Sequence, residues 1–136
     1  MRLFLDTNIF LDVAQQRMPH YLASAQVVNM THQEGNQAFI SWHSLATLFY
    51  ILSRPWGEAK AKEYLADILQ WVELAPTQKS FALEALAMEG RDFEDDLQIQ
   101  CAIAAQCDFL ITRNTKDFQH SLIPAVSPED FGDVGR

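Results

Sequence analysis

The stretch RLFLDTNIFLD, residues 2–12, predicts the kind of sheet that this chain builds. Residues 3–5 are uninterrupted apolar side chains, a pattern typical of a short strand that is buried on both faces, and a helical segment follows from Ile9. Asp6 lies between the strand and the helix. Parallel sheets bind ligands beyond the carboxyl ends of their strands, so such a strand would hold the Asp6 carboxylate in a cleft at that edge.

The remainder of the chain alternates between short apolar segments and helical segments. Strands are predicted at residues 3–5, 38–41, 71–74, 108–112 and 124–126. Helices are predicted at residues 9–14, 21–32, 43–52, 58–69, 80–88 and 93–105. The tail, residues 127–136, opens with a helix-capping Ser-Pro-Glu-Asp pattern, after which we expect the chain to fray. This alternation predicts an α/β fold with a mostly parallel sheet of four to five strands and helices on both faces.

The composition fits one folded domain that spans residues 1–136. Hydrophobic residues make up 49% of the chain, which is enough apolar material to form a core. No run of 18 uncharged apolar residues and no secretion signal is visible, so we expect no membrane partner. Cys101 and Cys107 lie six residues apart in a predicted helix, on different faces, which argues against a disulfide or a metal clip and favours the reducing cytoplasm.

The formal charge of −8 comes from 18 acidic residues against ten lysines and arginines. Such a balance is consistent with simple solubility. It is unfavourable for binding nucleic acid, because phosphates are attracted to basic patches. Any role in handling RNA must therefore rest on local cations or on metal ions that offset the acids.

Acidic and amide side chains follow the first and the fourth predicted strands. Asp6 follows the first strand, and Asn114 and Asp117 follow the fourth in FLITRNTKDF, residues 109–118. If the two strands are neighbours in the sheet, their loops meet at one edge. The densest group of acids lies elsewhere, at the start of a predicted helix.

That group is RDFEDDLQIQ, residues 91–100. Acids favour the first turn of a helix, where they complement the helix dipole and cap free N–H groups, and Asp92 with Asp95 resembles a capping box. The residues around Asp6 could likewise serve only to cap the first helix. Capping and ligand binding therefore remain alternatives for both stretches.

Carboxylates that converge on one point repel one another unless a cation lies between them. Oxygen-only ligands suit Mg²⁺ or Mn²⁺, and such an ion can activate water and stabilise charge on a phosphate. The four histidines form no HxH or HExxH pattern, so a zinc site is not indicated. The chain also lacks the glycine-rich phosphate loops and the GxSxG motif.

Three motifs together resemble the PIN domain family: LDTN at residues 5–8, DFEDDLQIQCAIA at residues 92–104 and TRNTKDF at residues 112–118. SPEDF at residues 127–131 resembles the usual family ending. The resemblance implies a three-layer α/β/α sandwich, an acidic site for Mg²⁺ or Mn²⁺, and endoribonuclease activity. Many members are the toxins of VapC-type toxin–antitoxin pairs, so it also implies an RNA substrate, a cognate antitoxin and a homodimer.

Residue by residue, the resemblance implies that Asp6 is the first family acid, Asp95 the third, and Asp117 the acid that follows the last strand. These three are the candidate catalytic residues. Two positions depart from the family. Thr47, in SLATLFYIL, stands where a glutamate is common, and Asn114 replaces the aspartate of a frequent Thr-x-Asp. An amide oxygen can still bind a metal, so Asn114 joins the three acids as a candidate ligand.

Further residues receive supporting roles from their positions in the motifs. We expect Thr7, Asn8 or Thr112 to fix ligands by hydrogen bonds. Compensating carboxylates could come from Asp12 and Asp92. The nearest cations by sequence, Arg113 and Lys116, could contact an RNA phosphate.

Three other interpretations compete with a metal nuclease. A degenerate PIN domain would bind RNA or a protein without cleavage. This interpretation is suggested by the replacement of the expected acids at positions 47 and 114. A phosphatase resembling the haloacid dehalogenases also places an aspartate after a strand, but it needs a second aspartate where Asn8 stands. An interaction module could pair subunits through the apolar stripe Leu45, Leu48, Phe49 and Leu52, although that stripe suits a core equally well.

Overall fold

The computed structural model describes residues 1–90 and 92–134, and in that part of the chain five strands form one parallel sheet. Their order is β3-β2-β1-β4-β5. The strands are β1 (Arg2–Leu5), β2 (Gln37–Ile40), β3 (Val72–Leu74), β4 (Phe109–Ile111) and β5 (Ala125–Val126). The predicted parallel α/β fold is confirmed, with the larger of the two predicted strand numbers.

Seven helices of the described residues cover the sheet. They are α1 (Thr7–Ala14), α2 (Tyr21–Thr31), α3 (Trp42–Trp56), α4 (Glu58–Ile68), α5 (Lys79–Ala87), α6 (Phe93–Ala104) and α7 (Pro128–Val134), and a 3-10 turn lies at Thr115–Phe118. The sequence pattern predicted α1 to α6 within a few residues, and it missed the 3-10 turn. No helix among these is long and apolar enough to cross a membrane.

The strand residues alternate between two hydrophobic cores because successive side chains of a strand point to opposite faces. Leu3 and Leu5 lie fully buried in a core with Phe10 of α1 and Leu48 of α3. Phe4 lies between them in sequence and packs in the opposite core, which α6 covers. The unbroken apolar run in β1 therefore reflects a strand that is covered by helices on both faces.

The apolar stripe of α3 belongs to the first of these cores. Leu48 and Leu52 are fully buried, and Leu45 and Phe49 pack against the same cluster. A stripe that is already covered within the chain is not free to pair subunits. The structure thus favours the core interpretation of this stripe.

The tail differs from the expectation that it frays. Ser127 Oγ accepts a hydrogen bond from the Asp130 N–H at 3.1 Å, as the capping pattern predicts. Phe131 is fully buried and meets Phe109 of β4 edge-on, with ring centroids 5.8 Å apart. This burial fixes α7 to the sheet as far as the described residues extend, and residues 135 and 136 lie outside them.

Candidate metal centre

The strand order places a crevice next to Asp6. The chain runs outward from β1 in both directions, to β2 on one side and to β4 on the other, and parallel sheets bind ligands at such a reversal. Leu5 of β1 pairs with Ile111 of β4, and the Asp6 N–H donates to the Ile111 carbonyl at 3.0 Å. Asp6 and Thr112 are therefore the first residues beyond two neighbouring strand ends, as the sequence predicts for adjacent strands.

Asp6 is held as a buried carboxylate, with only 3% of its surface exposed. Thr112 Oγ1 donates to its Oδ2 at 2.8 Å, and Gln98 Nε2 donates to its Oδ1 at 3.0 Å. Burial raises the pKa of Asp6, and these two hydrogen bonds oppose that rise. Although Asp6 occupies the N-cap position of α1, its side chain makes no capping hydrogen bond, so capping does not account for this aspartate.

The candidate ligands line one cleft of about 290 Å³. Its lining comprises Asp6, Thr7, Asn8, Leu11, Thr47, Ile51, Asp92, Glu94, Asp95, Gln98, Asn114 and Asp117. The three candidate catalytic acids and the amide of Asn114 thus come together from β1, α6 and the loop after β4. Thr47 of α3 also lines the cleft, so the position that often carries a family glutamate faces the site with a hydroxyl.

Burial and the neighbouring negative charges together disfavour the ionised form of Asp95. Its pKa is raised to about 7, first by burial and then by the negative charges of Asp6, Asp92, Asp117 and Glu94. The pKa of Glu94 is raised by burial and by two of the same carboxylates. A cluster that disfavours its own ionisation is one that a divalent cation would stabilise.

Asp92 both caps α6 and faces the cleft, so the sequence alternatives of capping and ligand binding do not exclude each other at this residue. Its Oδ1 accepts hydrogen bonds from the N–H groups of Glu94 at 2.8 Å and Asp95 at 3.2 Å, which caps α6. Its side chain also lines the cleft. The predicted cap is therefore present, without the reciprocal bond from the Asp95 side chain that a capping box would have.

Asp12 lies outside the lining of the cleft, contrary to the expectation that it compensates for the missing acids. Its side chain is fully buried, Ser24 Oγ donates to its Oδ2 at 3.1 Å, and Arg113 Nε lies 2.8 Å from the same oxygen. Arg113 is therefore engaged in an ion pair, with 21% of its side chain exposed. This ion pair competes with the predicted contact between Arg113 and an RNA phosphate. Lys116 is exposed beside Asn114 and Asp117, and its phosphate contact remains a prediction.

The hydroxyl of Thr7 also has a different partner from the one expected. Thr7 Oγ1 lies 2.7 Å from Ser44 Oγ, which in turn lies 2.6 Å from Ser41 Oγ. This buried chain of hydroxyls joins the start of α1 to the start of α3. Thr7 therefore positions the helix that follows Asp6. The nearby backbone amides of Thr7 and Asn8 lower the pKa of the Asp6 carboxyl, although neither makes a capping hydrogen bond with it.

Sequence reasoning missed Gln98, which holds Asp6 directly. The available signal was its spacing, because Gln98 follows Asp95 by three residues and so shares its helix face. It also missed a hydrogen bond between a histidine and a carboxylate beside the cleft. His120 Nε2 lies 2.7 Å from Asp96 Oδ1, and the buried Asp96 carboxylate packs where a side chain at Gly90 would stand. This pair joins α6 to the segment that follows the 3-10 turn.

The oxygen atoms that line the cleft suit a Mg²⁺ or Mn²⁺ ion that keeps part of its hydration shell, rather than an ion surrounded by protein ligands alone. Within the described residues, no three His, Cys, Asp or Glu side chains are close enough together to hold an ion among themselves. Mg²⁺, however, keeps several waters and is commonly bound through one or two carboxylates together with substrate phosphate. The buried Gln98 Oε1, which has no hydrogen-bond partner among the described residues, is a further oxygen donor in the cleft.

The fold and this cleft define an α/β domain with an acidic site at the carboxyl edge of a parallel sheet. The model of the PIN domain family matches residues 2–116, so the chain belongs to the PIN domain family. No curated protein sequence matches the chain.

Solved structures with the same fold include two VapBC complexes. VapBC2 from Rickettsia felis, bound to a promoter DNA fragment, has a TM-score of 0.64 at 22% identity and covers 93% of this chain and 98% of that chain. VapBC-1 from nontypeable Haemophilus influenzae has a TM-score of 0.71 at 16% identity, covering 95% and 99%. VapC20 from Mycobacterium tuberculosis, a toxin that cleaves the sarcin-ricin loop, has a TM-score of 0.64 at 14% identity, covering 79% and 86%. At these identities the likeness establishes the fold.

Proposed function

We propose that this PIN domain is a Mg²⁺- or Mn²⁺-dependent endoribonuclease and the toxin of a toxin–antitoxin pair. The observation that carries the proposal is the convergence of Asp6, Asp95, Asp117 and Asn114 on one cleft at the reversal point of the sheet. Oxygen donors in this number and setting suit a hard divalent cation. Phosphodiester hydrolysis is the chemistry that such a site serves best.

In this proposal the four residues would hold the ion, which when bound would supply a polarised water and stabilise charge at the phosphate. Thr112 and Gln98 keep the Asp6 carboxylate in a fixed orientation through their hydrogen bonds. Glu94, exposed at the cleft with a raised pKa, is the candidate acceptor for the proton of the attacking water. Lys116 is the candidate contact for a neighbouring phosphate.

We also propose a cognate antitoxin and a homodimer as the partners of this chain. The support for the antitoxin is the similarity in fold to toxins solved as VapBC complexes, and the homodimer rests on the family resemblance alone. The net charge of −8 adds a physical reason, because a basic segment of a partner would be attracted to this chain and could neutralise its acidic cleft.

The second candidate function is binding without cleavage. Thr47 and Asn114 bring no negative charge to a cleft in which the family often has two more acids, and the described carboxylates do not form a three-acid cluster. Fewer charged ligands would weaken ion binding. A chain of this kind would bind RNA or a protein partner and leave it intact.

Calorimetric titration of Mn²⁺ into the wild type and Asp6→Asn, followed by incubation of both with a mixed RNA pool, separates the two candidates. We expect the wild type to bind Mn²⁺ and to cleave RNA, and Asp6→Asn to lose both. Asp67→Asn, which alters an exposed carboxylate of α4 outside the cleft, is the matched control and should behave as the wild type. RNA binding by a wild type that neither takes up millimolar Mn²⁺ nor cleaves would favour the second candidate.

A further inference from the structure

A second cavity lies beside the acidic cleft at the same edge of the sheet. It has a volume of about 180 Å³ and is bounded by the start of α3, the segment after β3, and helices α5 and α6. We call it the aromatic pocket, after Trp42 and Phe81, which line it together with Leu97, His43 and Gln78. A cavity of roughly 150 Å³ holds a benzene-sized ring, so this pocket has room for about one aromatic ring system.

Two helices form the boundary between the aromatic pocket and the cleft. On α6, Asp95 and Gln98 line the cleft, whereas Leu97 and Cys101, one turn apart, line the pocket. On α3, His43 lines the pocket and precedes the cleft residue Thr47 by one turn. Burial lowers the pKa of His43, and the negative charge of Asp6 in the neighbouring cleft opposes part of that shift.

The two cavities differ in charge. The cleft is lined by five carboxylates, whereas none of the described residues that line the aromatic pocket is an Asp, Glu, Lys or Arg. An anion would gain nothing from such a pocket, but a neutral ring could exchange water for apolar contacts there. A nucleotide has this same division, with a neutral base attached within one residue of a charged phosphate.

The aromatic side chains of the pocket are available for stacking. Trp42 is 63% exposed and Phe81 is partly exposed, and among the described residues neither ring pairs with another aromatic ring. Proteins that recognise single-stranded RNA stack its unpaired bases on rings of this kind, and hydrogen-bond the base edges with neutral polar groups. His43 and Gln78 are neutral polar groups of this type.

We infer that the aromatic pocket is a nucleobase-binding subsite, which takes one unstacked base of an RNA strand whose adjoining phosphate lies in the acidic cleft. The inference rests on the proposed endoribonuclease function for the identity of the strand. The pocket then fixes the register of the RNA: the base at one position next to the cleaved bond stacks on Trp42, and His43 and Gln78 select among the bases through hydrogen bonds to the base edge. Trp42 is a binding residue in this scheme and takes no part in proton transfer.

The first test uses neutral nucleosides without metal, so it does not depend on cleavage. Trp42, Trp56 and Trp71 give three indole N–H signals by NMR, and Trp42→Phe identifies the first by its loss. We expect adenosine, guanosine, cytidine or uridine to shift the Trp42 signal saturably at millimolar concentration and to leave the other two unmoved. A shift that instead follows protein concentration would assign the pocket to a second copy of the chain and overturn the inference.

The second test measures cleavage of a mixed single-stranded RNA pool with Mn²⁺. Trp42→Ala should lower kcat/KM roughly tenfold and remove the base preference beside the cleaved bond, because one stacking contact is lost. Trp42→Phe should restore most of both. Tyr50→Ala is the matched control, since Tyr50 is an aromatic residue of α3 with a similar exposure of 62% that does not line the pocket.

The two tests separate the inference from the proposed function. A nucleoside shift without cleavage by the wild type would retain the base subsite and reject the nuclease. Cleavage without a nucleoside shift, and with an unchanged base preference in Trp42→Ala, would retain the nuclease and reject the subsite. The absence of both responses would overturn both.

Discussion

At the scale of single residues, the structure assigns Thr112 a role that its position in the sequence only suggested. Its hydroxyl donates to Asp6 Oδ2 at 2.8 Å and accepts from the Asn114 N–H at 3.0 Å. One fully buried side chain thus fixes the first candidate ligand and begins the turn that carries another. A residue with this arrangement is not simply the end of its strand.

We expect Thr112→Val to lower the free energy of unfolding of the metal-free protein by about 1.5–3 kcal/mol, because it leaves one oxygen of a buried carboxylate without its donor. Urea unfolding measures the loss. Thr112→Ser keeps the hydroxyl and is the control. If the serine variant loses as much as the valine variant, the methyl group and its packing would explain the effect in place of the hydrogen bond.

Asp95 makes the stability of the metal-free protein depend on pH. Its folded-state pKa of about 7 lies above the ordinary value of 3.8, so the folded state binds more protons than the unfolded state between these pH values. The contribution of Asp95 to stability is therefore largest at low pH and declines as the pH rises towards 7. Neutralising this side chain removes the decline.

The measurable consequence is the difference in Tm between Asp95→Asn and the wild type, both without metal. We expect this difference to grow in favour of the variant from pH 5 to pH 7 and to level off above pH 8. Saturating Mn²⁺ should reverse it, because only the wild type gains the ligand. A Tm difference that stays constant with pH would show that neither burial nor the neighbouring carboxylates raise the pKa of Asp95.

At the scale of elements, the loop after β4 is attached to its neighbours at both ends. Arg113 pairs with the buried Asp12 of α1 at its start, and His120 pairs with the buried Asp96 of α6 beyond its 3-10 turn. Asn114 and Asp117 lie between these two attachments. We interpret these two contacts as holding the ligand-bearing loop in position against the other two elements of the cleft.

A double-mutant cycle on Asp12 and Arg113 tests this interpretation. Each of Asp12→Asn and Arg113→Gln should cost about 3 kcal/mol of unfolding free energy, since either leaves a buried group without its partner. The double variant should lose less than the sum of the two, with a coupling of roughly 1–3 kcal/mol. Mn²⁺ affinity should fall in all three variants, because Asn114 and Asp117 lose their fixed placement.

Arg17→Gln is the matched control for this cycle. Arg17 is also a partly buried arginine, and its Nε donates to Gln15 in the segment after α1, away from the cleft. Losses that simply add, with an unchanged Mn²⁺ affinity, would leave the pair with no role in positioning the loop.

The same elements show what the sequence can and cannot predict. Runs of apolar residues predicted every strand, and the end of a buried strand predicted where Asp6 would lie, because both depend on local pattern and sheet topology. The partner of Asp12 depends on how α1 is rotated about its own axis once it packs on α2. A local sequence pattern does not determine that rotation. Gln98 was missed for a related reason, since its contact with Asp6 joins residues 92 positions apart.

At the scale of the whole molecule, the proposal that an acidic protein binds RNA requires an explanation. A net charge of −8 repels phosphate, and several basic side chains are already occupied. Arg2 donates to the Ala105 carbonyl, and Arg113 is paired with Asp12. A protein that binds RNA through basic patches would show the opposite balance, so the attraction for phosphate in this chain should come from the divalent ion.

RNA binding should therefore strengthen as divalent ion is added. In EDTA we expect weak binding of a short labelled single strand, measured by fluorescence anisotropy in the cold with the RNA checked for integrity afterwards. Raising Mg²⁺ at constant ionic strength should increase the affinity of the wild type at least tenfold and that of Asp6→Asn very little. This increase is the reverse of the salt response of a protein that binds RNA through basic patches, because the affinity of such a protein falls as added cations compete for the phosphates. Tight binding in EDTA that weakens steeply with salt would instead locate the RNA on exposed lysines such as Lys116, and would remove the ion from recognition.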